Sequence, residues 1–122
     1  MAWVYVQFNG HLYRPGGSLA CRSGYSGYGF GKDNPAMEAV PNMGPIPVGL
    51  YSIGPPGNIA GRQFAMRLEA IVSWITWRDG FLIHGDSRSH PGEASEGCII
   101  VPLNVRVEIA ASDDKELEVR SY

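Results

Sequence analysis

The sequence has no strong excess of charge of either sign. Ten lysines and arginines stand against twelve aspartates and glutamates, which gives a formal net charge of −2. Proteins that bind nucleic acid or an anionic membrane electrostatically carry a basic patch or stripe, and no such stripe is visible here. We therefore expect neither nucleic acid nor a membrane among the partners.

Cysteines are few, and long hydrophobic runs are absent. Cys21 and Cys98 do not have a framework spacing, so we predict two free thiols, with Cys21 as a small buried hydrophobe. The first residues lack the basic region, the apolar core and the cleavage site of a secretory signal, and no run is long enough to span a bilayer. We expect a protein made in the cytoplasm without a signal peptide.

Glycine and proline are abundant, with 16 and 9 copies among 122 residues, and they are concentrated in residues 15–61. Both residue types favour turns over helices. The length and composition predict a mainly β (α+β) protein with one domain over residues 1–122 and a long Gly/Pro-rich loop.

Runs rich in aromatic and β-branched residues predict the strands. Asn9-Gly10 predicts a tight I′ hairpin turn near the N-terminus, and Pro55-Pro56 predicts the end of a strand. Residues 102–111 fit either a strand or a short helix. The predicted strands are residues 3–8, 11–13, 48–53, 64–68, 71–77, 81–83 and 116–120, the last as an edge strand.

Several aromatic side chains have two open interpretations. Tyr25, Tyr28 and Phe30 lie in a glycine-rich stretch without periodicity, so they either wall a groove or pack under the sheet. Trp74 and Trp77 are predicted in the core or in a groove wall.

Residues 81–102 carry the pattern on which the functional prediction depends. An apolar run ends at His84, a polar loop with glycines follows, and Cys98 opens a second apolar run. Two neighbouring strands joined by this loop can bring the imidazole and the thiol together, and a nearby imidazole favours the nucleophilic thiolate. Gly97 allows close approach of a substrate carbonyl. The backbone N–H groups of Gly97 and Cys98 are candidate oxyanion donors, with Ser95 at the rim.

These residues resemble a known family. His-Gly at residues 84–85 and Ser-Glu-Gly-Cys-Ile at residues 95–99 resemble the signature of L,D-transpeptidase catalytic domains, which act on peptidoglycan stem peptides. Residues 44–53 look like the proline-glycine strand that precedes the catalytic region in that family. Residues 3–119 are similar to small L,D-transpeptidase-like toxins exported by type VI secretion systems. Typical L,D-transpeptidases have histidine where this chain has Glu96, and usually arginine where it has Ile100.

The resemblance implies a compact L,D-transpeptidase-like β-sandwich or barrel with one or two short helices, one of them at residues 102–111, and a thiol mechanism. Cys98 would attack the carbonyl of the L-centre of meso-diaminopimelate in a tetrapeptide stem, with His84 as general base, and D-alanine would leave. The thioester would pass to water or to an amine. Either the Gly85 carbonyl or the Asp86 carboxylate would hold the imidazole tautomer. The predicted site residues are Cys98, His84, Gly85, Asp86, Ser95 and Gly97 for catalysis, and Tyr28, Arg88 and Glu96 for substrate binding.

The same resemblance implies partners and a place of action. The expected partners are a peptidoglycan stem peptide, secretion machinery and an immunity protein, and no cofactor or metal is expected. The protein would act as a monomer in the periplasm of a target cell.

Two other functions stay open at this stage. Zinc hydrolysis would use His84, Asp86, His90, Glu93 and Glu96 as ligands, although no HExxH spacing is present. A catalytically inactive peptidoglycan-binding or phage-associated module is the other alternative, and Glu96 together with the missing arginine favours it.

Overall fold

The computed structural model describes all 122 residues and has one nine-stranded sheet and one α-helix. Two single-turn 3₁₀ helices cover Gly29–Gly31 and Pro35–Met37. The prediction of a mainly β protein with short helices is confirmed. The elements are β1 Trp3–Val6, β2 Leu12–Tyr13, β3 Leu19–Cys21, β4 Tyr25–Ser26, β5 Gly49–Ile59, β6 Arg62–Ser73, β7 Phe81–His84, β8 Ile99–Ile100, α1 Leu103–Ala111 and β9 Glu116–Arg120.

The strand order across the sheet is β3-β2-β1-β9-β5-β6-β7-β8-β4. The pairs β1–β9 and β7–β8 are parallel, and the other pairs are antiparallel. Only residues 22–24 join the two edge strands β3 and β4, so the sheet curls until its edges approach each other, as in a barrel. No helix has the length and apolar character needed to cross a bilayer.

The interior is one cluster of 17 buried side chains. Val105 and Ile109 of α1 face it, so the ambiguous segment before residue 112 is the short helix. Cys21 also belongs to the cluster, and both cysteines are free, as predicted. The strands β1, β5, β6, β7, β8 and β9 all contribute side chains to this cluster.

The prediction of an edge strand at residues 116–120 is wrong. β9 lies between β1 and β5 and pairs with both. Leu117 and Val119 are 0% and 1% exposed, because both backbone edges of the strand are paired and one face covers the core. The charged residues that alternate with them lie on the outer face of the sheet, and such alternation is found in central as well as edge strands.

The first hairpin is confirmed, but its turn is longer than predicted. Gly10 has φ +72°, whereas Asn9 does not have the positive φ that a two-residue I′ turn requires. The N–H of Gly10 donates to the carbonyl of Val6, and the N–H of Val6 donates to the carbonyl of His11. These bonds close a wider loop between β1 and β2.

The second hairpin, β5–β6, differs more from the prediction. β5 continues through Pro55 and Pro56 to Ile59, with register shifts that accommodate the missing proline N–H groups. The next two predicted strands are one strand, β6, which ends before Trp74. Trp74 is 86% exposed, so its predicted place in the core is wrong, and it does not line the cleft described below.

Candidate active site

The pairing of β7 with β8 brings Cys98 and His84 to one face of the sheet. His84 pairs with Ile100 in the parallel register, and alternate residues of a strand share a face. Cys98 therefore lies diagonally across from His84, two positions along the chain from Ile100. The backbone N–H of Leu82 donates to Sγ of Cys98 at 3.3 Å.

A large polar cleft of about 1250 Å³ opens over this face. Eight of the nine predicted site residues line it, and Ser95 does not. Trp77 also lines the cleft, so the groove-wall interpretation holds for this tryptophan. The predicted residues in its wall are Tyr28, His84, Gly85, Asp86, Arg88, Glu96, Gly97 and Cys98.

Both ring nitrogens of His84 are hydrogen-bonded. Nε2 accepts from Nε of Arg62 at 3.1 Å, and Nδ1 is 2.7 Å from the carbonyl oxygen of Gly85. Because a guanidinium can only donate, Nε2 is unprotonated. Nδ1 therefore carries the proton and donates a hydrogen bond to the carbonyl of Gly85. Of the two groups considered for holding the tautomer, the Gly85 carbonyl is the one in contact.

His84 is 1% exposed, and this burial lowers its pKa to about 4. The bond to the Gly85 carbonyl opposes the shift, while the charges of Arg62 and Arg106 add to it. The imidazole is therefore neutral at pH 7, as a general base must be before it accepts a proton.

The Cys98 thiol makes no hydrogen bond with His84; its polar contact is the N–H of Leu82. Burial raises the pKa of Cys98, although the Leu82 N–H and the charge of Arg62 act in the opposite direction. The resting thiol is therefore protonated at neutral pH, and attack on a carbonyl requires a base that takes its proton.

Asp86 makes no hydrogen bond with the imidazole. Its carboxylate accepts from the hydroxyl of Tyr25 at 2.5 Å and from the N–H groups of Ser87 and Gly92. Burial opposes ionisation, but these hydrogen bonds outweigh it and lower the pKa of Asp86. The carboxylate thus stabilises the conformation of the polar loop. Tyr25 is 6% exposed and does not line the cleft, so it is a buried residue that supports this loop and not a groove wall.

Ser95 lies beneath the loop and not at its rim, where we predicted it. It is 1% exposed, and its hydroxyl accepts from the N–H groups of Gly27 and Gly97 at 2.9 and 3.1 Å. The same hydroxyl donates to the carbonyl of Cys98 at 2.6 Å. Because the Gly97 N–H is taken, the Cys98 N–H is the remaining oxyanion donor of the predicted pair.

The two glycines of the signature leave space for two buried arginines. Gly97 has φ +141°, and a Cβ there would lie 2.6 Å from Nη2 of Arg78. A Cβ on Gly85 would lie 2.6 Å from Nη2 of Arg106. Any larger residue at either position would displace a guanidinium that the surrounding backbone holds.

Those arginines tie the walls of the cleft together, and sequence reasoning missed both. Arg78 donates to four carbonyls, those of Glu38, Pro45, Gly44 and Glu96, at 2.7 to 3.1 Å. It thereby joins the segment before β5 to the loop that carries Cys98. The sequence gives little indication that Arg78 is buried, because Arg78 follows an apolar run and begins a pattern typical of an exposed turn.

Arg106 connects α1 to the second hairpin. Its Nε donates to the carbonyl of Val101 at 3.2 Å, and its Nη1 donates to the carbonyls of Gln63 and Phe64 at 3.0 and 3.1 Å. The position of Arg106 next to Val105, on the side of the short helix that is buried, could have indicated that its side chain is buried too. Arg62 was also missed, because the predicted strand ended before the hairpin turn that precedes it.

The three predicted substrate-binding residues, Tyr28, Arg88 and Glu96, are exposed in the cleft wall. The guanidinium of Arg88 has no hydrogen-bond partner in the protein, so it is free to meet a ligand. Phe30, by contrast, is 88% exposed and lies outside the cleft lining.

The zinc alternative gains no support from the geometry. No group of three or more His, Cys, Asp or Glu side chains is arranged to hold a metal ion. Both nitrogens of His84 are already bonded within the protein, and Asp86 is bonded to the loop.

Comparison with known proteins places the chain in a family. A family model described as the Tlde1 domain matches residues 21–120. The chain belongs to the Tlde1 domain family. The name designates L,D-transpeptidase-like effectors of type VI secretion, which supports a toxin directed at peptidoglycan. The match spans the cleft, both arginines and the segment from His84 to Cys98. No curated protein and no solved structure matches the chain.

Proposed function

We propose that the protein is a thiol-dependent L,D-carboxypeptidase that also catalyses D-amino-acid exchange on peptidoglycan tetrapeptide stems. The observation that carries the proposal is the shared cleft face of Cys98 and His84, with Nε2 of the imidazole unprotonated. Membership of the Tlde1 domain family supports peptidoglycan as the target.

The reaction follows from the atoms in the cleft. Nε2 of His84 takes the thiol proton as Sγ of Cys98 bonds to the carbonyl carbon of meso-diaminopimelate. The N–H of Cys98 stabilises the oxyanion of the tetrahedral intermediate. The intermediate collapses, the C–N bond breaks, and the imidazolium returns its proton to the amine of D-alanine. A water or an incoming D-amino acid then attacks the thioester with His84 as base, and the thiol is regenerated.

The biological setting is part of the same proposal. Loss of D-alanine from tetrapeptides removes the donor stems for cross-links and weakens the wall of a target cell. The protein would act in the periplasm after delivery by type VI secretion machinery, and a producing cell would need an immunity protein against it.

The test is mass analysis of purified tetrapeptide muropeptides incubated with the wild type, Cys98→Ala and His84→Gln. The matched control is Cys21→Ala, which removes the other thiol from the core. We expect tripeptide, and D-methionine-exchanged product when D-methionine is added, from the wild type and Cys21→Ala only. Turnover must also survive a chelator, and chelator-sensitive turnover that persists in Cys98→Ala would contradict the thiol mechanism.

A binding module without catalysis is the second candidate. The absence of a hydrogen bond between Cys98 and His84, and the raised pKa of the thiol, favour it. Unchanged muropeptides with every variant, together with sedimentation of the wild type on intact sacculi, would support this candidate.

A further inference from the structure

Arg62 occupies a defined position at the tip of the β5–β6 hairpin. Ala60 and Gly61 have φ of +52° and +79°, and Ile59 pairs with Arg62 across them. Positive φ at both central residues is the pattern of a two-residue I′ turn. Arg62 is therefore the first residue after a tight turn, with little freedom in its backbone.

The tip is also fastened to the body of the protein. Phe64 has φ +49°, a left-handed conformation that is uncommon for a bulky residue. The carbonyls of Gln63 and Phe64 accept from Nη1 of the buried Arg106. This contact holds the strand so that the side chain of Arg62 reaches His84.

The bond between Arg62 and His84 blocks the base. Nε of Arg62 donates to Nε2 of His84 at 3.1 Å, and Nε2 has one lone pair. The other ring nitrogen donates to the Gly85 carbonyl. While Arg62 stays in this position, the imidazole has no site for the proton of Cys98.

The rest of the Arg62 guanidinium is open to the cleft. Its bond to His84 uses Nε alone, and neither Nη atom donates to a protein group. The side chain is exposed and lines the cleft. The buried arginines of the cleft differ, because Arg78 and Arg106 donate fork nitrogens to backbone carbonyls. An open guanidinium fork matches a carboxylate with two parallel hydrogen bonds.

We propose that Arg62 is a positioning residue that makes activation of His84 depend on the terminal carboxylate of the substrate. The carboxylate pairs with Nε and one Nη of the guanidinium, so the N–H of Nε turns from Nε2 of His84 to the carboxylate, and the freed lone pair accepts the thiol proton. No covalent bond changes in this step. The inference rests on the proposed function, in which the tetrapeptide stem ends in the carboxylate of D-alanine.

The positive charges near the imidazole also make its proton affinity depend on a substrate carboxylate. Burial is the main cause of the lowered pKa of His84, the charges of Arg62 of β6 and Arg106 of α1 lower it further, and the Gly85 carbonyl and Asp86 oppose the shift. Pairing of Arg62 with a carboxylate cancels one of the two positive charges. The affinity of His84 for a proton then rises when a substrate with a free carboxylate is bound.

The first arm of the test measures the pKa of His84 by NMR in a Cys98→Ala background, which prevents turnover. The ligands are a tetrapeptide stem with a terminal carboxylate and the same peptide as its carboxamide. We expect the carboxylate ligand to raise the pKa by about one unit or more and the carboxamide to leave it unchanged. Arg62→Gln should have a raised pKa without ligand and no response to either peptide. Arg67→Gln, an exposed arginine of the same strand, should behave as the background does.

The second arm compares kcat/KM for the two peptides in enzymes that retain Cys98. A charge-assisted bidentate pair predicts that the wild type and Arg67→Gln prefer the carboxylate peptide roughly 10- to 100-fold. The preference should fall to near one in Arg62→Gln.

The outcomes separate this inference from the proposed function. Equal cleavage of both peptides by the wild type, or a preference that Arg88→Gln removes and Arg62→Gln does not, overturns the inference and leaves the thiol mechanism standing. A His84 pKa that carboxylate and carboxamide peptides raise equally also overturns it. Failure of the wild type to cleave or bind either peptide overturns both.

Discussion

Replacement of Gly97 by alanine tests the packing that supports the cysteine. The new Cβ would lie 2.6 Å from Nη2 of Arg78 and 2.8 Å from Cε1 of Phe81. Neither atom can withdraw easily, because Arg78 is 8% exposed and is held by four carbonyls, and Phe81 is 6% exposed in the core.

The expected cost has two parts. A non-glycine residue at φ +141° stores strain of about 1–3 kcal/mol. Overpacking against a fixed guanidinium and ring adds about 1–3 kcal/mol. The free energy of unfolding should therefore fall by about 2–6 kcal/mol, which corresponds to a melting temperature lower by roughly 10 °C or more for a protein of this size.

Urea unfolding followed by tryptophan fluorescence measures this loss. The matched control is Gly16→Ala, because Gly16 has ordinary φ and nothing within 4 Å of its added Cβ. The control should stay within about 0.5 kcal/mol of the wild type. A Gly97→Ala protein as stable as the control would refute the placement of Arg78 and Phe81 against this glycine.

Three further predictions concern titration, packing and thiol reactivity. The folded-state pKa of His84, about 4, lies below the unfolded value of about 6.5. As the pH falls below 6.5, the unfolded state therefore takes up a proton that the folded state does not, and the folded protein loses stability. This loss reaches up to about 3 kcal/mol as the pH falls from 6.5 to 4, and urea titrations should record it in the wild type but not in His84→Gln. Arg106→Met should lower the free energy of unfolding by about 2–4 kcal/mol and speed amide hydrogen exchange in residues 62–64. Unchanged exchange would contradict the conclusion that Arg106 holds this segment through the carbonyls of Gln63 and Phe64. Iodoacetamide should label Cys98 before the buried Cys21, slowly at pH 7 and faster as the pH rises, because burial raises the pKa of Cys98; mass spectrometry of tryptic peptides measures the order.

The sequence alone was sufficient to predict that His84 and Cys98 lie in one cleft. His84 ends one apolar run, Cys98 opens the next, and a single loop joins the two runs. Local pattern is informative when the elements that meet are neighbours in the chain. The mainly β character followed in the same way, from turn-forming residues and short β-branched runs.

Features that depend on distant pairing could not be predicted. The alternation in β9 marks which side chains are buried, but it does not encode which strands lie on either side. The setting of Ser95 depends on the N–H of Gly27, 68 positions earlier in the chain. Arg62 was missed for a local reason, since Pro55-Pro56 indicates the end of a strand, and only the register shifts of the folded hairpin let β5 continue past them.

The central place of β9 has a consequence for how the protein is made. β1 leaves the ribosome more than 100 residues before its parallel neighbour β9, which covers Glu116–Arg120. Until that strand has emerged, the inner edges of β1 and β5 are unpaired, and unpaired strand edges readily join other chains. The sheet can close only after β9 has been synthesised, so we expect the pairing of β1 with β5 through β9 to be a late step in folding.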